Sequence, residues 1–320
     1  MGPCGAAGRR TVTGPRAGDG RTPPTGIAGD DGEAGRADGT GVDLIDAHVH
    51  VWDPRRLRYD WLAGTALDRP RLPGDIDDAD GAVTHWVFVE ADVTPDSALD
   101  EARWAAGLDW PGLAAMVVAA DLGAPDAGER IDRVAGLPLA RGVRHLLQDL
   151  PPERLAAPAL RKGLAEVARA GLVFDACVRW TQLDDLDRLL ADSCAGITVL
   201  DHLGKPPVDE GLRSDAGQTW LTALRRLARH ERLTVKLSGL PAEASDAETL
   251  HRHGPDLLRA ALDVFGPERC LLGGDWPVST GVDGRTTTGA WFGLVRDVVD
   301  PYDWPQVAAG TARRVYGIHD

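Results

Sequence analysis

Short apolar runs recur along the chain from residue 42 onward, and a segment with helical periodicity follows each of them. The eight runs occupy residues 42–51, 84–90, 113–120, 142–147, 172–178, 197–200, 233–239 and 270–272. Several are apolar at nearly every position, which is typical of strands buried on both faces. Apolar residues at helical spacing predict helices over residues 97–108, 125–135, 158–170, 182–192, 220–230, 256–265, 289–299 and 304–316. The pattern therefore predicts strands that alternate with helices.

This alternation determines the fold class that we expect. Consecutive β–α units place their strands in parallel and join them by right-handed crossovers. Eight such units within residues 42–320 favour an α/β fold of the (β/α)8 type, a distorted TIM-like barrel, over an open doubly wound sheet. The sequence has no G-x-G-x-x-G after a strand and no G-x-x-x-x-G-K-[ST] loop, so nothing indicates dinucleotide or P-loop chemistry.

The first 41 residues differ from the rest in composition. They are rich in Gly, Pro, Thr, Arg and Asp and have almost no large apolar side chains. Such a segment cannot bury enough surface to offset the entropy lost on ordering. We therefore expect a disordered tail at residues 1–41, or a start codon upstream of the functional one, and a single barrel domain at residues 42–320.

Composition and charge narrow the classes of partner. Hydrophobic residues make up 43% of the 320 residues, and the formal net charge is -14. This charge argues against a nucleic-acid or anionic-membrane partner, because both favour a basic surface. No run of 18 apolar residues predicts a transmembrane helix. The four cysteines show no C-x-x-C spacing, which favours a cytoplasmic location. A homo-oligomer is compatible with these features.

Polar residues end most of the apolar runs, and these ends form the active-site face of a (β/α)8 barrel. His48 and His50 end the first run, and strand alternation puts them on the same face. A single strand-end carboxylate is usually a helix cap, but titratable groups at so many ends indicate a site. Five of the other runs end in Glu90, Arg144 with His145, Asp201 with His202, Lys236 with Ser238, and Asp275 with Trp276.

Several of these segments, in order over residues 43–317, resemble the amidohydrolase superfamily. Within it the chain is similar to the lactonase branch of the amidohydrolase-related (amidohydrolase 2) family. That branch includes L-fuconolactonases, L-rhamnonolactonases and the lactonase of 2-pyrone-4,6-dicarboxylate. The resemblance implies a distorted barrel that hydrolyses a cyclic ester. The segments that carry it are IDAHVHVWDP at 45–54, RGVRHLLQ at 141–148, DHLGKP at 201–206, KLSGL at 236–240, FGPER at 265–269, GDWPV at 274–278 and TARRVY at 311–316.

The same resemblance implies roles for the residues at the strand ends. Asp275 is the general base, His48, His50 and His202 line the reaction centre, and Arg144 and His145 contact the substrate. These roles agree with ester hydrolysis, which needs an activated water, an electrophile for the carbonyl oxygen and a proton for the leaving alkoxide.

Four further residues are candidates for substrate contact. They are Glu90, Lys236, Trp52 and Trp276. The two tryptophans could form the wall of a sugar pocket, as could Trp61, or could simply pack the loops. Lys236 could reach the mouth of the barrel or could cap a pair of carboxylates.

The sequence leaves the need for a metal open. Binuclear members of the superfamily carboxylate a lysine at the end of strand four, where this chain has Arg144 and His145. The end of strand five, at residues 175–178, has no histidine, unlike many mononuclear members. One divalent ion, with zinc favoured, could still bind, since a catalytic zinc needs about three protein ligands. Its candidate ligands are His48, His50, Glu90, His202 and Asp275.

These observations favour a lactonase that opens a small lactone, most simply that of a sugar acid in carbohydrate catabolism. A metal-dependent decarboxylase of the same superfamily is the first alternative, although the missing strand-five histidine counts against it. Another amidohydrolase-type hydrolase and a barrel that only binds a small ligand are further alternatives.

Overall fold

Eight parallel strands form one sheet in chain order in the computed structural model of the protein, which describes residues 43–280 and 286–319. The tail expected at residues 1–41 lies outside the described residues. Each strand overlaps its apolar run, and α-helices lie between successive strands from β2 onward, whereas only short 3-10 turns lie between β1 and β2. The strands are β1 (Leu44–Val49), β2 (Val83–Val89), β3 (Leu113–Ala119), β4 (Ala140–Leu146), β5 (Val173–Cys177), β6 (Thr198–Leu200), β7 (Leu233–Leu237) and β8 (Cys270–Leu272). The predicted (β/α)8 barrel is confirmed.

All eight predicted helical segments are helical in the structure. The helices are α1 (Ala98–Ala106), α2 (Ala127–Ala135), α3 (Pro152–Leu155), α4 (Pro158–Arg169), α5 (Leu183–Ala191), α6 (Asp215–Leu227), α7 (Leu240–Glu243), α8 (Ala247–Phe265), α9 (Thr288–Arg296) and α10 (Thr311–Tyr316). Short 3-10 turns lie at Asp60–Leu62, Pro73–Asp75, Pro95–Ser97, Trp180–Gln182, Asp201–Gly204 and Pro267–Arg269, and a π-turn at Gln306–Gly310. In the described part of the chain no helix is both long and apolar enough to cross a bilayer.

Two helices begin earlier than their apolar stripes predict. Helix α6 begins at residue 215 rather than 220, and α8 at 247 rather than 256. In both, a polar side chain caps the first turn: Ser214 accepts a hydrogen bond from Gly217 N, and Asp246 accepts one from Thr249 N. These caps stabilise turns that carry few apolar residues, so hydrophobic periodicity alone misses them.

Two hydrophobic clusters hold the strands in place. The larger joins strand residues such as Phe88 and Val143 to the surrounding helices. The second joins Ile45, Val117 and Leu271 to Tyr316 near the end of the chain. The last helix is therefore packed against side chains from several strands.

The barrel closes where the segment after β8 meets β1, and we call this junction the seam. The junction contains one parallel bridge, between Val49 and Trp276. Asp275 N donates to His48 O at 2.7 Å, and His50 N donates to Trp276 O at 2.8 Å. The seam therefore places the end of the last strand directly beside the two histidines of the first.

A buried carboxylate reinforces the seam. Asp46 accepts hydrogen bonds from Gly274 N at 2.8 Å and from His48 N at 2.9 Å. A Cβ atom at position 274 would lie 2.6 Å from Asp46 Oδ2, so a glycine is required for this close approach.

Candidate active site

Three imidazoles surround the carboxylate of Asp275 at the seam. Asp275 Oδ1 lies 3.3 Å from His50 Nε2, 3.6 Å from His48 Nε2 and 3.9 Å from His202 Nε2. The two Nε2 atoms of His48 and His50 are 3.2 Å apart. All four residues, which come from β1, β6 and β8 or the turns after them, are buried. The structure thus brings together the four residues predicted to be catalytic.

The other nitrogen of two of these rings has a fixed partner. His50 Nδ1 lies 2.8 Å from Val89 O, and a carbonyl oxygen only accepts, so His50 donates from Nδ1. In the neutral ring His50 Nε2 is then the nitrogen without a proton, and this nitrogen faces Asp275. His202 Nδ1 is hydrogen-bonded to Ser238 Oγ at 2.9 Å. These contacts orient both rings toward the carboxylate.

Burial and neighbouring charges set the protonation states. Burial lowers the pKa of His202 to about 4, although Asp275 and Asp201 oppose the shift. Burial and the nearby Lys236 ammonium also lower the pKa of His48 well below its usual range. For Asp275 burial acts to raise the pKa, but the surrounding imidazoles outweigh it and lower the pKa below its usual range. At neutral pH the centre therefore consists of a carboxylate and neutral His202 and His48 rings.

The backbone at this centre is held in an unusual conformation. Asp275, His202 and Lys205 have φ values of 54°, 54° and 50°, in the left-handed region that non-glycine residues rarely adopt. Ser279 Oγ donates to Asp275 Oδ2 at 2.6 Å and fixes the carboxylate. Strained backbone of this kind concentrates at functional sites, where the surrounding structure compensates for it.

The donor atoms of His48, His50 and Asp275 are arranged as ligands of one metal ion. Their separations of 3.2, 3.3 and 3.6 Å match the spacing of about 3.3 Å between donors that sit about 2.05 Å from a tetrahedral zinc. We call these three residues the donor triangle. His48 also groups with Asp201 and His202. Among the described residues Glu90 belongs to neither group.

Glu90 is instead hydrogen-bonded to Arg144. Arg144 Nε donates to Glu90 Oε1, and Arg144 Nη2 donates to Glu90 O at 2.6 Å. Glu90 Oε2 accepts from Asp92 N at 2.7 Å. Glu90 therefore lies outside both groups of candidate ligands, and its carboxylate accepts a hydrogen bond on each oxygen.

A cavity of about 270 Å³ opens above Asp275. Arg144 lines it, as does Trp61, whose indole N–H donates to Ala91 O at 2.7 Å. Lys205 lines it too and lies 3.4 Å from Glu243 Oε1. The remaining lining includes Asp92, Gln148, Asp149, Cys177, Gly239 and Val278. The cavity is small and rich in hydrogen-bonding groups, as a site for a small polar molecule should be.

Cys177 faces this cavity but is not an activated nucleophile. Burial raises the pKa of its thiol to about 12, even though Lys205 and Arg144 act in the opposite direction. The thiol is therefore protonated at neutral pH, whereas nucleophilic cysteines react as thiolates.

Five of the residues predicted to contact substrate lie away from the cavity, and Glu90, which is held by Arg144, is one of them. His145 is adjacent to Arg144 on β4 and so points to the opposite face, where its Nδ1 accepts from Leu122 N at 3.3 Å. Trp52 is fully buried, donates to Leu67 O and Arg69 O, and packs the loop after β1. Trp276 is buried in the main core and Lys236 lies fully buried on β7.

Sequence reasoning did not single out Lys205, Asp46 or Ser279. Lys205 lies three positions after His202, and the Gly-Lys-Pro triplet that follows a strand was the available signal for a turn. Asp46 precedes the two histidines by an even number of positions, so strand alternation places it on their face. Nothing in the local pattern marks Ser279.

The sequence of this chain is similar to those of known proteins. Residues 45–318 match the profile of the amidohydrolase family. An L-fucono-1,5-lactonase of Burkholderia multivorans is 36% identical over 256 residues, which cover 73% of this chain and 82% of that protein. An L-fucono-1,5-lactonase of Burkholderia ambifaria is 33% identical over 278 residues, which cover 85% and 92%.

A solved structure of an amidohydrolase is also similar to this chain in sequence and fold. It is an amidohydrolase from Burkholderia multivorans with bound zinc, 31% identical in sequence, with a TM-score of 0.76. The alignment covers 86% of this chain and 99% of that one.

Proposed function

The chain belongs to the amidohydrolase family, and from this premise we propose that it is a lactonase that hydrolyses a small sugar-acid lactone. The observation that carries the proposal is the Asp275 carboxylate, ringed by three imidazoles at the floor of a small polar cavity. The two relatives that are 36% and 33% identical are both named L-fucono-1,5-lactonase, which supports a lactone as the substrate.

Asp275 is the general base in this proposal. Its ionised Oδ1 takes a proton from a water molecule as the water attacks the ring carbonyl, and the proton then passes to the alkoxide that leaves. Ser279 holds Oδ2 at 2.6 Å, so Oδ1 is the oxygen that faces the cavity side of the imidazoles. The bond between the carbonyl carbon and the ring oxygen breaks, and the product is an open-chain hydroxy acid.

Groups around Asp275 stabilise the negative charge that develops on the carbonyl oxygen. The Lys205 ammonium and the guanidinium of Arg144 are the cations that line the described part of the cavity. Arg144 donates two buried hydrogen bonds to Glu90, whereas Lys205 makes only a longer contact of 3.4 Å with Glu243, so Lys205 is the more available of the two. A fixed cation at such an oxyanion lowers the barrier more inside a buried site than in water.

The donor triangle of His48, His50 and Asp275 would hold a divalent ion, and we propose zinc. When bound, zinc would lower the pKa of a water molecule and polarise the carbonyl. The bound zinc in the Burkholderia multivorans structure supports this choice.

Hydroxyl groups of the substrate have several partners in the cavity. Gln148, Asp149 and Glu243 offer acceptors, and the Trp61 ring offers an apolar face on which a sugar ring can stack. Of the residues predicted to bind substrate, Arg144 retains this role. A cytoplasmic location and a homo-oligomeric assembly stay predictions.

The direct test is proton release in weak buffer during hydrolysis of a panel of aldono-1,4- and 1,5-lactones, with and without a chelator. We expect turnover of at least one aldonolactone. Turnover lost on chelation and restored by zinc supports the donor triangle, and turnover that survives chelation supports hydrolysis without metal. Absence of turnover across the panel contradicts the lactonase proposal.

Replacement of the base gives a sharper test. Asp275→Asn keeps the shape of the side chain but cannot take a proton, so we expect kcat to fall by at least about 100-fold. Glu248→Gln, on the exposed side of α8, is the control and should keep full activity. Near-normal turnover by Asp275→Asn would show that another group is the base.

A further inference from the structure

A buried network of charged groups lies behind the donor triangle. The ammonium of Lys236 is 2.5 Å from Asp175 Oδ2, 3.0 Å from Asp201 Oδ1 and 3.1 Å from His48 Nδ1. Tyr316 Oη donates to Asp175 Oδ2 at 2.8 Å. Lys236, Asp175 and Asp201 are fully buried. The lysine therefore reaches the back of His48 without entering the substrate cavity.

The direction of these hydrogen bonds assigns the proton of His48. An ammonium only donates, so the bond from Lys236 requires His48 Nδ1 to be the acceptor. The neutral His48 ring then carries its proton on Nε2. That atom lies 3.2 Å from His50 Nε2, which is free to accept because His50 donates from Nδ1 to Val89 O. All three bonds are consistent with this one tautomer.

A metal in the donor triangle requires the opposite tautomer. A histidine binds a metal through an unprotonated nitrogen, so His48 would have to carry its proton on Nδ1 and donate it to a neighbour. Asp201 Oδ1 is the acceptor in reach, at 3.4 Å from His48 Nδ1. Lys236 and Asp201 thus compete for the same nitrogen, and the lysine is the closer of the two.

We propose that Lys236 is a positioning residue that holds His48 in the tautomer protonated on Nε2 and thereby weakens the binding of a divalent metal at the donor triangle. Two effects act together. The lysine occupies the nitrogen that must donate when metal binds, and its positive charge, fixed behind His48, repels a dication. Metal occupancy of the site is therefore set by a residue that is not itself a ligand.

Zinc affinity measures this effect without an activity assay. We would titrate the metal-free full-length protein with zinc in competition with a chromogenic chelator. Lys236→Met should bind zinc at least about tenfold more tightly than the wild type, since Asp201 then becomes the sole partner of His48 Nδ1. Equal or weaker binding by a folded Lys236→Met protein would overturn the proposal.

Two further variants separate the proposed role from a general loosening of the network. Tyr316→Phe removes a hydrogen bond to Asp175 but leaves the ammonium in place, so its zinc affinity should equal that of the wild type. If Lys236→Met fails to fold because Asp175 is left unpaired, the double variant Lys236→Met/Asp175→Asn removes both charges together. It should show the same gain in zinc affinity, and the lack of a gain counts against the proposal.

The tautomer can also be observed in the unmodified protein. Long-range ¹H–¹⁵N correlation spectra of the metal-free wild type distinguish a His48 ring protonated on Nε2 from one protonated on Nδ1. We expect the Nε2–H form. The Nδ1–H form would refute the proposal whether or not the protein opens a lactone.

Discussion

At the scale of single residues, the site depends on a few positions where the size of one side chain sets how closely the backbone approaches a catalytic group. Gly239 is one of them. It has a φ of 77°, and a Cβ atom there would lie 2.4 Å from His202 Cγ. The glycine thus lets the chain after β7 pass directly against the imidazole that faces Asp275.

Gly239→Ala should therefore impair catalysis more than it impairs folding. The added methyl group must displace the His202 ring, and we expect kcat to fall by about tenfold or more, since small misplacements of catalytic groups are costly. The positive φ adds a stability loss of about 1 kcal/mol. Steady-state kinetics and urea denaturation measure the two effects.

Gly64→Ala is the matched control for this substitution. Gly64 has a φ of 76° but no atom within 4 Å of the added Cβ. It should lose only the stability that the positive φ costs and should keep normal kcat. If both variants lost activity equally, the contact with His202 would not explain the effect.

Adjacent residues on one strand show what the sequence could and could not predict at this scale. Strand alternation correctly grouped His48 with His50, because His48 lies on β1 and His50 directly follows the strand, with one residue between the two histidines. On β4 the same rule allows only one of Arg144 and His145 to face the cavity, and the sequence did not indicate which. The depth of Lys236 and the engagement of Glu90 by Arg144 depend on tertiary contacts that no local pattern encodes.

At the scale of secondary-structure elements, the strands were easier to predict than the starts of the helices. Strands buried on both faces are continuous apolar runs, so their limits in sequence and structure nearly coincide. Helices α6 and α8 begin with polar turns whose stability comes from capping by Ser214 and Asp246. The apolar stripe marks only the part of a helix that packs against the hydrophobic core.

Helix α1 buries an acidic residue whose effect on stability should depend on pH. Glu101 is fully buried and its Oε1 accepts from Ala91 N at 3.2 Å. Burial, assisted by the nearby Glu90, raises the pKa of Glu101 well above its usual range. The folded protein therefore retains a proton there that the unfolded chain loses above about pH 4.3.

Glu101→Gln tests this prediction. As pH rises from 5 to 8, loss of this proton becomes more favourable, and the unfolded chain can lose it whereas the folded protein retains it. The free energy of unfolding of the wild type should therefore fall relative to that of the variant. The relative change is at most about 1.4 kcal/mol per pH unit up to the native pKa. Urea denaturation at both pH values measures it, with exposed Glu153→Gln as the control. A difference independent of pH would contradict the buried, protonated state.

At the scale of the whole molecule, the site belongs to the seam rather than to any one element. Residues of β1 and of the segment after β8 supply the donor triangle, and Asp46 joins the same two segments. The order of the β–α units could be predicted from sequence, since it follows from the alternation itself. The contacts across the seam could not, because they join positions 228 residues apart.

Asp46→Ala should weaken the seam and the site together. The change leaves the N–H groups of Gly274 and His48 buried without their acceptor, which we expect to cost about 2 kcal/mol of unfolding free energy. Activity should fall as well, because Asp275 is attached to this junction. Chemical denaturation and lactone turnover measure both, with exposed Asp60→Ala as the control. Full stability in Asp46→Ala would show that other contacts close the barrel.

The seam also has a consequence during protein synthesis. The first strand leaves the ribosome long before residues 270–276, yet His48 and His50 face no carboxylate base until that last segment docks beside them. Pairing between such distant positions forms slowly, because a long loop must close first. A nascent or prematurely terminated chain therefore carries no hydrolytic centre, and activity arises only when translation has passed Asp275 and the barrel has closed.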